Sequence, residues 1–319
     1  VSSQIEIHER FGGIVPELAS RKHTEVITRI VDRALTEADV ALADLHAVAV
    51  TNRPGLIGAL LVGVEAAKAI AFTQGIPLIP VHHIEGHIYA NSMAHDLPFP
   101  HLCLTVSGGH TLLVHVSEGW EYELVGTTLD DAVGEAYDKV AKLLGLGFPG
   151  GPIIDRLARE NTEEPVEFPI PMTRSKTYDF SFSGLKTAVL HRARAEGIYP
   201  APEGGPDREA VAALARSFQD AVADVIATKT ARAAEEFGVQ GIVIGGGVAA
   251  NAALREALND RSSVPVISPP PALCTDNGAM IAAVAFHYLK RGDRSGLDLD
   301  VTPGLTIGEA PSAPTLTCV

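Results

Sequence analysis

Residues 102–116 read LCLTVSGGHTLLVHV. Two runs of apolar and β-branched residues, Leu102–Val106 and Thr111–Val116, flank a turn that contains two adjacent glycines, and this pattern predicts a β-hairpin. Similar short runs predict three further strands: Ala47–Thr51, Ile76–Val81 and Gly241–Ile244. The second of these contains Pro77 and Pro80, which fit poorly in a central strand.

Helical periodicity occupies the segments between the strands. The predicted helices are Pro16–Thr36, Gly58–Gln74, Asp131–Leu144, Asp207–Phe237 and Asn251–Asp260. Because strands and helices alternate along the chain, we expect mixed α/β lobes with largely parallel sheets and one antiparallel hairpin.

The composition is that of an ordinary folded protein. Of the 319 residues, 46% are hydrophobic and 20% are charged. We expect two lobes, because a single core stops growing near about 250–300 residues. The three cysteines have no short paired spacing, which argues against a disulfide framework and against a four-cysteine zinc site. The same cysteine usage predicts a reducing, cytoplasmic setting. No run reaches the roughly 18–20 uninterrupted apolar residues of a membrane span, so we expect none.

The net charge of −14 argues against binding nucleic acid through bulk charge, since phosphates require clustered Lys and Arg. One stretch, Met172–Glu196, carries more basic than acidic residues. Its cations are Arg174, Lys176, Lys186, Arg192 and Arg194. A solvated surface segment explains them as well as an RNA-facing role does, so any RNA contact must be local or shared with a partner.

The segment HHIEGH places His83 and His87 four positions apart. On a helix both imidazoles project from one face, where they can hold a metal ion. Glu85 lies about 200° around the helix from His83, so it cannot easily act as the general base of a zinc peptidase, whose signature places the glutamate beside the first histidine. Two half-buried histidines without a metal are the alternative explanation.

Asp276, in CTDNGA, is a candidate third ligand. Asp is also a preferred helix cap, and a cap at the start of an apolar helical pattern is the alternative here. Two imidazoles and one carboxylate would leave open coordination positions for a substrate oxygen.

Three glycine-rich turns lie either directly after a predicted strand or at the start of a predicted helix. They are Ser107–Thr111, Pro149–Pro152 and Gly245–Asn251. Glycine lets backbone amides approach a phosphate closely, and a following helix adds its positive end, although tight turns are the commoner cause of such runs. None of the three matches a P-loop or a strict G-x-G-x-x-G pattern, so neither of those nucleotide sites is supported.

Taken together, these motifs and others resemble, in order, the motif series of the TsaD/Kae/Gcp family of tRNA adenosine threonylcarbamoyltransferases. The matching stretches are FGGIVPELASRKH (11–23), RPGLIGALLVG (53–63), HHIEGH (82–87), VSGGHT (106–111), DDAVGEAYDKVAKLLGL (130–146) with FPGGP (148–152), DFSFSGLKTA (179–188), GGGVAAN (245–251) and CTDNGAMIA (274–282). The resemblance covers residues from near 2 to near 290.

The resemblance implies the two-lobed fold of actin-like ATPases (acetate and sugar kinases, Hsc70 and actin), with a nucleotide cleft between the lobes. Residues 1–100, with 281–319 returning, would form lobe one, and 101–280 would form lobe two. Family members begin with an apolar strand and a glycine- and threonine-bearing turn before the first of these motifs. The first strand of lobe one is therefore expected to be missing from this chain.

Matching motifs also imply the site residues and the reaction. His83, His87 and Asp276 would bind one divalent metal ion, with iron(II) favoured and zinc as the alternative. Threonylcarbamoyl-AMP or a nucleotide would be bound by Val106, Ser107, Gly108, Gly109, His110, Asp138, Gly151, Asp155 and Asn251. The family transfers the threonylcarbamoyl group to N6 of the adenosine beside the anticodon (position 37) in tRNAs that read codons starting with A. No general base or covalent nucleophile is assigned.

The partners implied are tRNA, threonylcarbamoyl-AMP made by a separate enzyme, a TsaB-like paralogue and a TsaE-like ATPase. One residue departs from the family pattern: Arg53 precedes Pro54 and Gly55 where the family usually has glycine. Two other functions stay open. An ATP-dependent small-molecule kinase of the same superfamily would lack the histidine pair with a distant Asp, and a non-catalytic scaffold paralogue would lack the metal residues.

Overall fold

A computed structural model of the chain describes residues 3–11, 13–161, 164–168 and 175–309. The chain divides into two compact units. The first takes in residues 15–89 and 277–309, and the second takes in the described parts of 3–14 and 90–276. The lobe boundaries expected from the sequence, at residues 100 and 281, stay a prediction.

The elements follow one another as alternating helices and strands. The helices are α1 (Ile5–Glu9), α2 (Pro16–Ala38), α3 (Ile57–Gln74), α4 (His83–Ser92), α5 (Val133–Leu143), α6 (Gly150–Glu160), α7 (Ser183–Ala195), α8 (Arg208–Phe237), α9 (Ala252–Arg261), α10 (Pro271–Cys274) and α11 (Gly278–Arg291). The strands are β1 (Val48–Arg53), β2 (Leu78–His82), β3 (His101–Val106), β4 (Thr111–Ser117), β5 (Glu121–Thr127), β6 (Ile242–Gly245) and β7 (Val266–Ile267). Every strand and helix named from the sequence pattern is present, with ends that differ by a few residues. Short or partly exposed elements such as β5, β7 and α6 were not predicted.

In the first unit, β1 and β2 form a parallel pair with Val48 opposite Leu78. Pro80 is tolerated in β2 because, among the described residues, β1 is its one strand partner and only Leu78 bridges to another segment, at Ser295. Alternate residues of the pair face opposite sides, so Val50 packs on α3 while Val81 packs on α11 with Val284. The two helices therefore cover the two faces of this small sheet.

Helix α3 is apolar on most of its surface. Ile57, Leu61 and Phe72 are exposed to 59%, 40% and 73%, respectively. By length and composition alone this helix would suffice to cross a membrane, and 22% of it is buried. It contains no uninterrupted apolar run of that length, because Glu65 and Lys68 interrupt the helix as an ion pair at 2.9 Å. One side of α3 therefore packs in the core, and the other side exposes apolar side chains.

The second unit contains a mixed five-stranded sheet with the order β5-β4-β3-β6-β7. Strands β3, β4 and β5 are antiparallel, whereas β6 runs parallel to both β3 and β7. Helices α6 and α9 pack on α8, which has many buried residues. Because β3 and β6 are parallel neighbours, the turns that follow them, Val106–His110 and Gly245–Asn251, leave the sheet at the same edge.

Candidate active site

Helix α4 begins at His83, directly after β2, and carries the predicted histidine pair. The ring centroids of His83 and His87 are 4.7 Å apart, and their planes are nearly perpendicular, at 79°. His87 is only 1% exposed. The two side chains are one helical turn apart, so both imidazoles lie on the same side of the helix.

Helix α4 packs against the first turn of α11. A Cβ atom added to Gly86 would lie 2.9 Å from Cδ1 of Ile281 and 3.1 Å from Cγ of Met280. Only a residue without a side chain allows this approach without a shift of its neighbours. The start of α11 is thereby held beside α4, and Asp276 lies two residues before that start.

The residue that caps α11 is Asn277 and not Asp276. The Asn277 side chain accepts a hydrogen bond of 2.9 Å from the backbone N–H of Met280. The neighbouring Asp276 is exposed, and its carboxylate lies near the histidines. The candidate ligand atoms of His83, His87 and Asp276 all lie within 4.8 Å of one another. This donor set, two imidazoles and one carboxylate, suits iron(II) or zinc.

Glu85 lies on the other side of α4, as the helical spacing predicts. The residue is 7% exposed, and its carboxylate accepts a hydrogen bond from the hydroxyl of Tyr288 on α11. Burial raises the pKa of Glu85, while this hydrogen bond and the charges of Arg53 and Arg291 lower it. A buried carboxylate engaged in this way is unsuited to the base of a peptidase, which must reach the metal-bound water.

In the second unit, the turn Val106–His110 closes on itself between β3 and β4. The backbone N–H of Ser107 donates to the carbonyl of His110 at 2.8 Å, and the N–H of His110 donates to Oγ of Ser107 at 3.1 Å. A Cβ atom added to Gly108 or Gly109 would meet nothing within 4 Å. The tip of the turn is therefore open to a ligand.

Two glycines of neighbouring motifs pack directly against this turn. The N–H of Gly134, in the first turn of α5, donates to the carbonyl of Ser107 at 3.1 Å. A Cβ atom on Gly134 would lie 2.7 Å from Cα of Gly108, and one on Gly246, whose φ is 89°, would lie 2.8 Å from the carbonyl carbon of Val106. The motifs are thus joined by backbone contacts that only glycine permits.

Asp138 and Gly151 lie where α5 meets α6. One carboxylate oxygen of Asp138 accepts a hydrogen bond of 2.7 Å from the N–H of Gly150, in the first turn of α6. Burial raises the pKa of Asp138, and this hydrogen bond lowers it. A Cβ atom on Gly151 would meet nothing within 4 Å, so this part of the helix start is open.

Asp155 and Asn251 are in direct contact. Nδ2 of Asn251 donates to Oε1 of Gln219 at 2.8 Å and to Oδ1 of Asp155 at 3.3 Å, while its Oδ1 caps α9 by accepting from the N–H of Leu254 at 3.0 Å. Gln219, only 2% exposed, carried no signal in the sequence because it lies inside α8. Asp155 and Gln219 also line a groove of about 850 Å³. All the predicted adenylate-binding residues lie in the second unit.

Asp130 was not among the predicted site residues, yet it organises a neighbouring helix. Its carboxylate accepts hydrogen bonds from the N–H of Phe182 at 2.8 Å, from the hydroxyl of Ser181, and from both the N–H and the hydroxyl of Ser183. These residues form the start of α7, so Asp130 caps that helix from a distant segment. Burial opposes ionisation, but the hydrogen bonds outweigh it and lower the pKa of Asp130.

Part of the basic stretch 172–196 is engaged by local partners. Three cations have a neighbour: Lys186 with Asp131, Arg192 with Glu196, and Arg194 above the ring of Tyr199. Lys176 is exposed, and Arg174 lies outside the described residues. An RNA-facing role of this stretch stays a prediction.

Solved structures of low sequence identity share the fold. HypF of T. kodakarensis aligns with 79% of this chain at a TM-score of 0.58 and 16% identity, and this chain spans 42% of it. A second neighbour is component A of the (R)-2-hydroxyglutaryl-CoA dehydratase of Acidaminococcus fermentans. The alignment covers 83% of this chain and 85% of that protein, with a TM-score of 0.50 and 15% identity. These neighbours share the α/β fold of this chain.

Sequence relatives are much more similar. Proteins named tRNA N6-adenosine threonylcarbamoyltransferase share 51% identity over 314 residues in Bacillus cereus and 53% over 313 residues in Halalkalibacterium halodurans. Each alignment covers 96% of this chain; it covers 89% of the Bacillus cereus protein and 88% of the Halalkalibacterium halodurans protein. The family model TsaD, described as tRNA N6-adenosine threonylcarbamoyltransferase, matches residues 1–283. The chain therefore belongs to the TsaD family.

Proposed function

We propose that this protein transfers the threonylcarbamoyl group of threonylcarbamoyl-AMP to N6 of adenosine 37 in tRNAs that read codons starting with A. The observation that carries the proposal is identity above 50% to proteins named for this activity, over nearly the whole chain. The protein is then an acyltransferase that acts in tRNA modification.

The adenylate is an activated acyl donor, so the site must mainly position the reactants and stabilise charge. The N6 amine attacks the carbamoyl carbon, the bond from that carbon to the phosphate oxygen breaks, AMP leaves, and N6 loses a proton. The open tip of the turn 106–110 offers backbone amides to the phosphate or the carbonyl oxygen. No residue is assigned as the base that accepts the N6 proton.

Three polar residues suit the nucleoside part of the adenylate. Asp138 and Asp155 can accept hydrogen bonds from ribose hydroxyls, and Asn251, held between Asp155 and Gln219, can bind the nucleotide through its amide. The nucleotide cleft between two lobes that the actin-like fold implies belongs to this proposal and stays a prediction.

The proposed cofactor is one divalent metal ion held by His83, His87 and Asp276, with iron(II) favoured over zinc. The proximity of the three ligand atoms and their chemistry support this assignment. When bound, the metal would act as a Lewis acid that holds and polarises oxygens of the threonylcarbamoyl group.

The proposed partners are tRNA, a TsaB-like paralogue and a TsaE-like ATPase, in the cytoplasm where tRNA is modified. A chain with a net charge of −14 gains by sharing phosphate contacts with a partner. The exposed apolar residues of α3 support the presence of a protein partner, since contiguous apolar surface is usually covered.

The test is reconstitution of the reaction. The protein is incubated with both partners, the adenylate-forming enzyme, tRNA, threonine, bicarbonate and ATP, and the tRNA nucleosides are then analysed by mass spectrometry. We expect threonylcarbamoyladenosine to form only when this chain is present. Modified tRNA without this chain, or none with it, would refute the proposal. ATP consumption that depends on a small molecule and not on the adenylate would indicate the kinase alternative.

A further inference from the structure

The side of α4 opposite the histidines carries a buried polar contact. Glu85 is 7% exposed, and the hydroxyl of Tyr288 donates a hydrogen bond to its carboxylate. A carboxylate removed from water is costly unless hydrogen bonds and positive charges compensate it. Glu85 is therefore a buried carboxylate that is not one of the three candidate metal ligands.

Two arginines supply the compensating charge. Arg53, at the end of β1, has His82 as its register partner on β2. The positive charges of Arg53 and Arg291 both favour the ionised carboxylate of Glu85 and lower its pKa, against the effect of burial. Arg291 lies over the ring of Tyr288, with its guanidinium carbon 4.9 Å from the centroid. Nε of Arg53 is buried and has no hydrogen-bond partner within the described residues. The effect of Arg53 on Glu85 is electrostatic.

The contacts of α4 with α11 are spread along α11. Gly86 lies against Ile281 in the first turn, Glu85 is bonded to Tyr288 about two turns further on, and the rings of Tyr89 and His287 are 5.8 Å apart. Contacts at separated points oppose both rotation and sliding of one helix on the other. Among these three contacts, the pair Glu85 and Tyr288 is the hydrogen-bonded one.

We propose that Glu85, Tyr288 and Arg53 form a clamp that locks α4 onto α11 and so sets the position of His83 and His87 relative to Asp276. Glu85 is a positioning residue in this arrangement. Arg53, with Arg291, supplies positive charge that compensates the buried carboxylate. The inference rests on the proposed metal site and adds the residues that hold it in shape.

If the clamp exists, removing the Tyr288 hydroxyl should weaken metal binding while leaving the stability of the fold nearly unchanged. Tyr288→Phe removes one hydroxyl and leaves the ring in place, so the apo-protein should keep its melting temperature to within a few degrees. Its affinity for iron(II) or zinc should fall about 10- to 100-fold, as it does when outer partners of metal ligands are removed. Affinity is measured by competition with a chromophoric chelator, using the full chain freed of metal.

The matched control is Tyr178→Phe. Tyr178 also donates a hydrogen bond to a glutamate, Glu236, but in the second unit. Removing that hydroxyl should leave metal affinity unchanged. Glu85→Gln is the conservative variant: the amide oxygen still accepts from Tyr288, so it should bind metal more tightly than Glu85→Leu, which removes the acceptor.

Arg53 is tested through a double-mutant cycle on the melting temperature of the apo-protein. Arg53→Gly should lower it when Glu85 is present and should have no effect in a Glu85→Gln background, because the compensated charge is then absent. Equal effects in both backgrounds would remove Arg53 from the clamp.

The outcomes separate the clamp from the metal site. If the wild-type protein binds metal and Tyr288→Phe binds it equally well, the clamp is wrong and the metal site stands. A lower melting temperature with unchanged metal affinity also overturns the clamp, since the pair would then be only structural. A wild-type protein without metal affinity overturns both.

Discussion

Single donor atoms decide what the site on α4 can bind. Two imidazole nitrogens and one carboxylate oxygen lie within 4.8 Å of one another. The described cysteines do not compete for a metal ion: Cys103 and Cys274 are buried, and burial raises the pKa of Cys103 to about 12, so its thiolate is not available. We therefore expect metal binding at the proposed site to depend on the two histidines and Asp276.

Replacing any one of the three ligands by alanine should lower the metal content without unfolding the protein. His83→Ala, His87→Ala and Asp276→Ala each remove one donor from an open site, and two remaining ligands hold a divalent ion poorly. The check is elemental analysis after purification, together with the melting temperature. His191→Ala, at an exposed histidine of α7, serves as the control. Full metal content in all three ligand variants would contradict the assignment.

At the scale of elements, the starts of two helices hold the loops of the second unit. The N–H of Val133, the first residue of α5, donates to Oγ1 of Thr111 at 2.8 Å, and that of Gly134 donates to Ser107, so α5 is anchored to the turn 106–110. The start of α7 is anchored in the same way by Asp130. These contacts join elements that the sequence keeps apart.

Gly134→Ala should disturb the turn 106–110 from within the unit. The added Cβ would lie 2.7 Å from Cα of Gly108 and from the carbonyl oxygen of Ser107, and backbone atoms cannot rotate away as a side chain can. We expect a loss of about 1–3 kcal/mol in the free energy of unfolding, measured with urea, and weaker AMP binding by calorimetry.

Gly304→Ala is the control, because its Cβ would meet nothing within 4 Å. If Gly134→Ala binds AMP as tightly as the wild type, the turn does not form part of the nucleotide site.

The cap on α7 should make the protein sensitive to acid. The hydrogen bonds lower the pKa of Asp130 in the folded state, so the stabilisation is present above the ordinary carboxyl pKa and is lost as the pH falls through the lowered value. Between about pH 5 and pH 3, the melting temperature should therefore fall less steeply for Asp130→Ala than for the wild type. Parallel curves would refute the cap, and Asp39→Asn, an exposed acid, gives the reference.

At the scale of the whole molecule, charge limits how tRNA can be bound. The net charge is −14, and two of the four described Lys and Arg residues of the basic stretch are ion-paired, Lys186 with Asp131 and Arg192 with Glu196. Lys176 is exposed and forms no ion pair within the described part of the chain. Affinity for tRNA should accordingly depend on few contacts from this chain and more from its partners.

Lys176→Glu should weaken tRNA binding by the assembled complex and reduce its dependence on salt. Each phosphate contact contributes about one unit to the slope of log affinity against log salt, so the slope should fall by about 1. Arg294→Glu makes the same change of charge at another exposed position and should leave the slope unaltered. Equal slopes for the wild type and Lys176→Glu, measured between about 50 and 200 mM salt, would exclude Lys176 from the interface.

The sequence by itself determined the local part of this architecture. The hairpin β3–β4, the long helix α8 and the one-turn spacing of His83 and His87 are set by residues close together in the chain, and the structure has each of them. Family motifs also identified the activity, because their order and number are specific. The edge strand β5 was missed, since its outer face is exposed and polar residues interrupt its pattern.

Contacts between distant segments were decided only by the tertiary structure. Asp276 was suggested as a ligand from the sequence, but its place beside His87 depends on the approach of α4 to α11 at Gly86. The cap that Asp130 provides for α7 and the buried partner of Glu85 left no local signal at all. The physical reason is that periodicity records which face a residue presents, whereas the identity of its neighbour depends on how packed elements fit together.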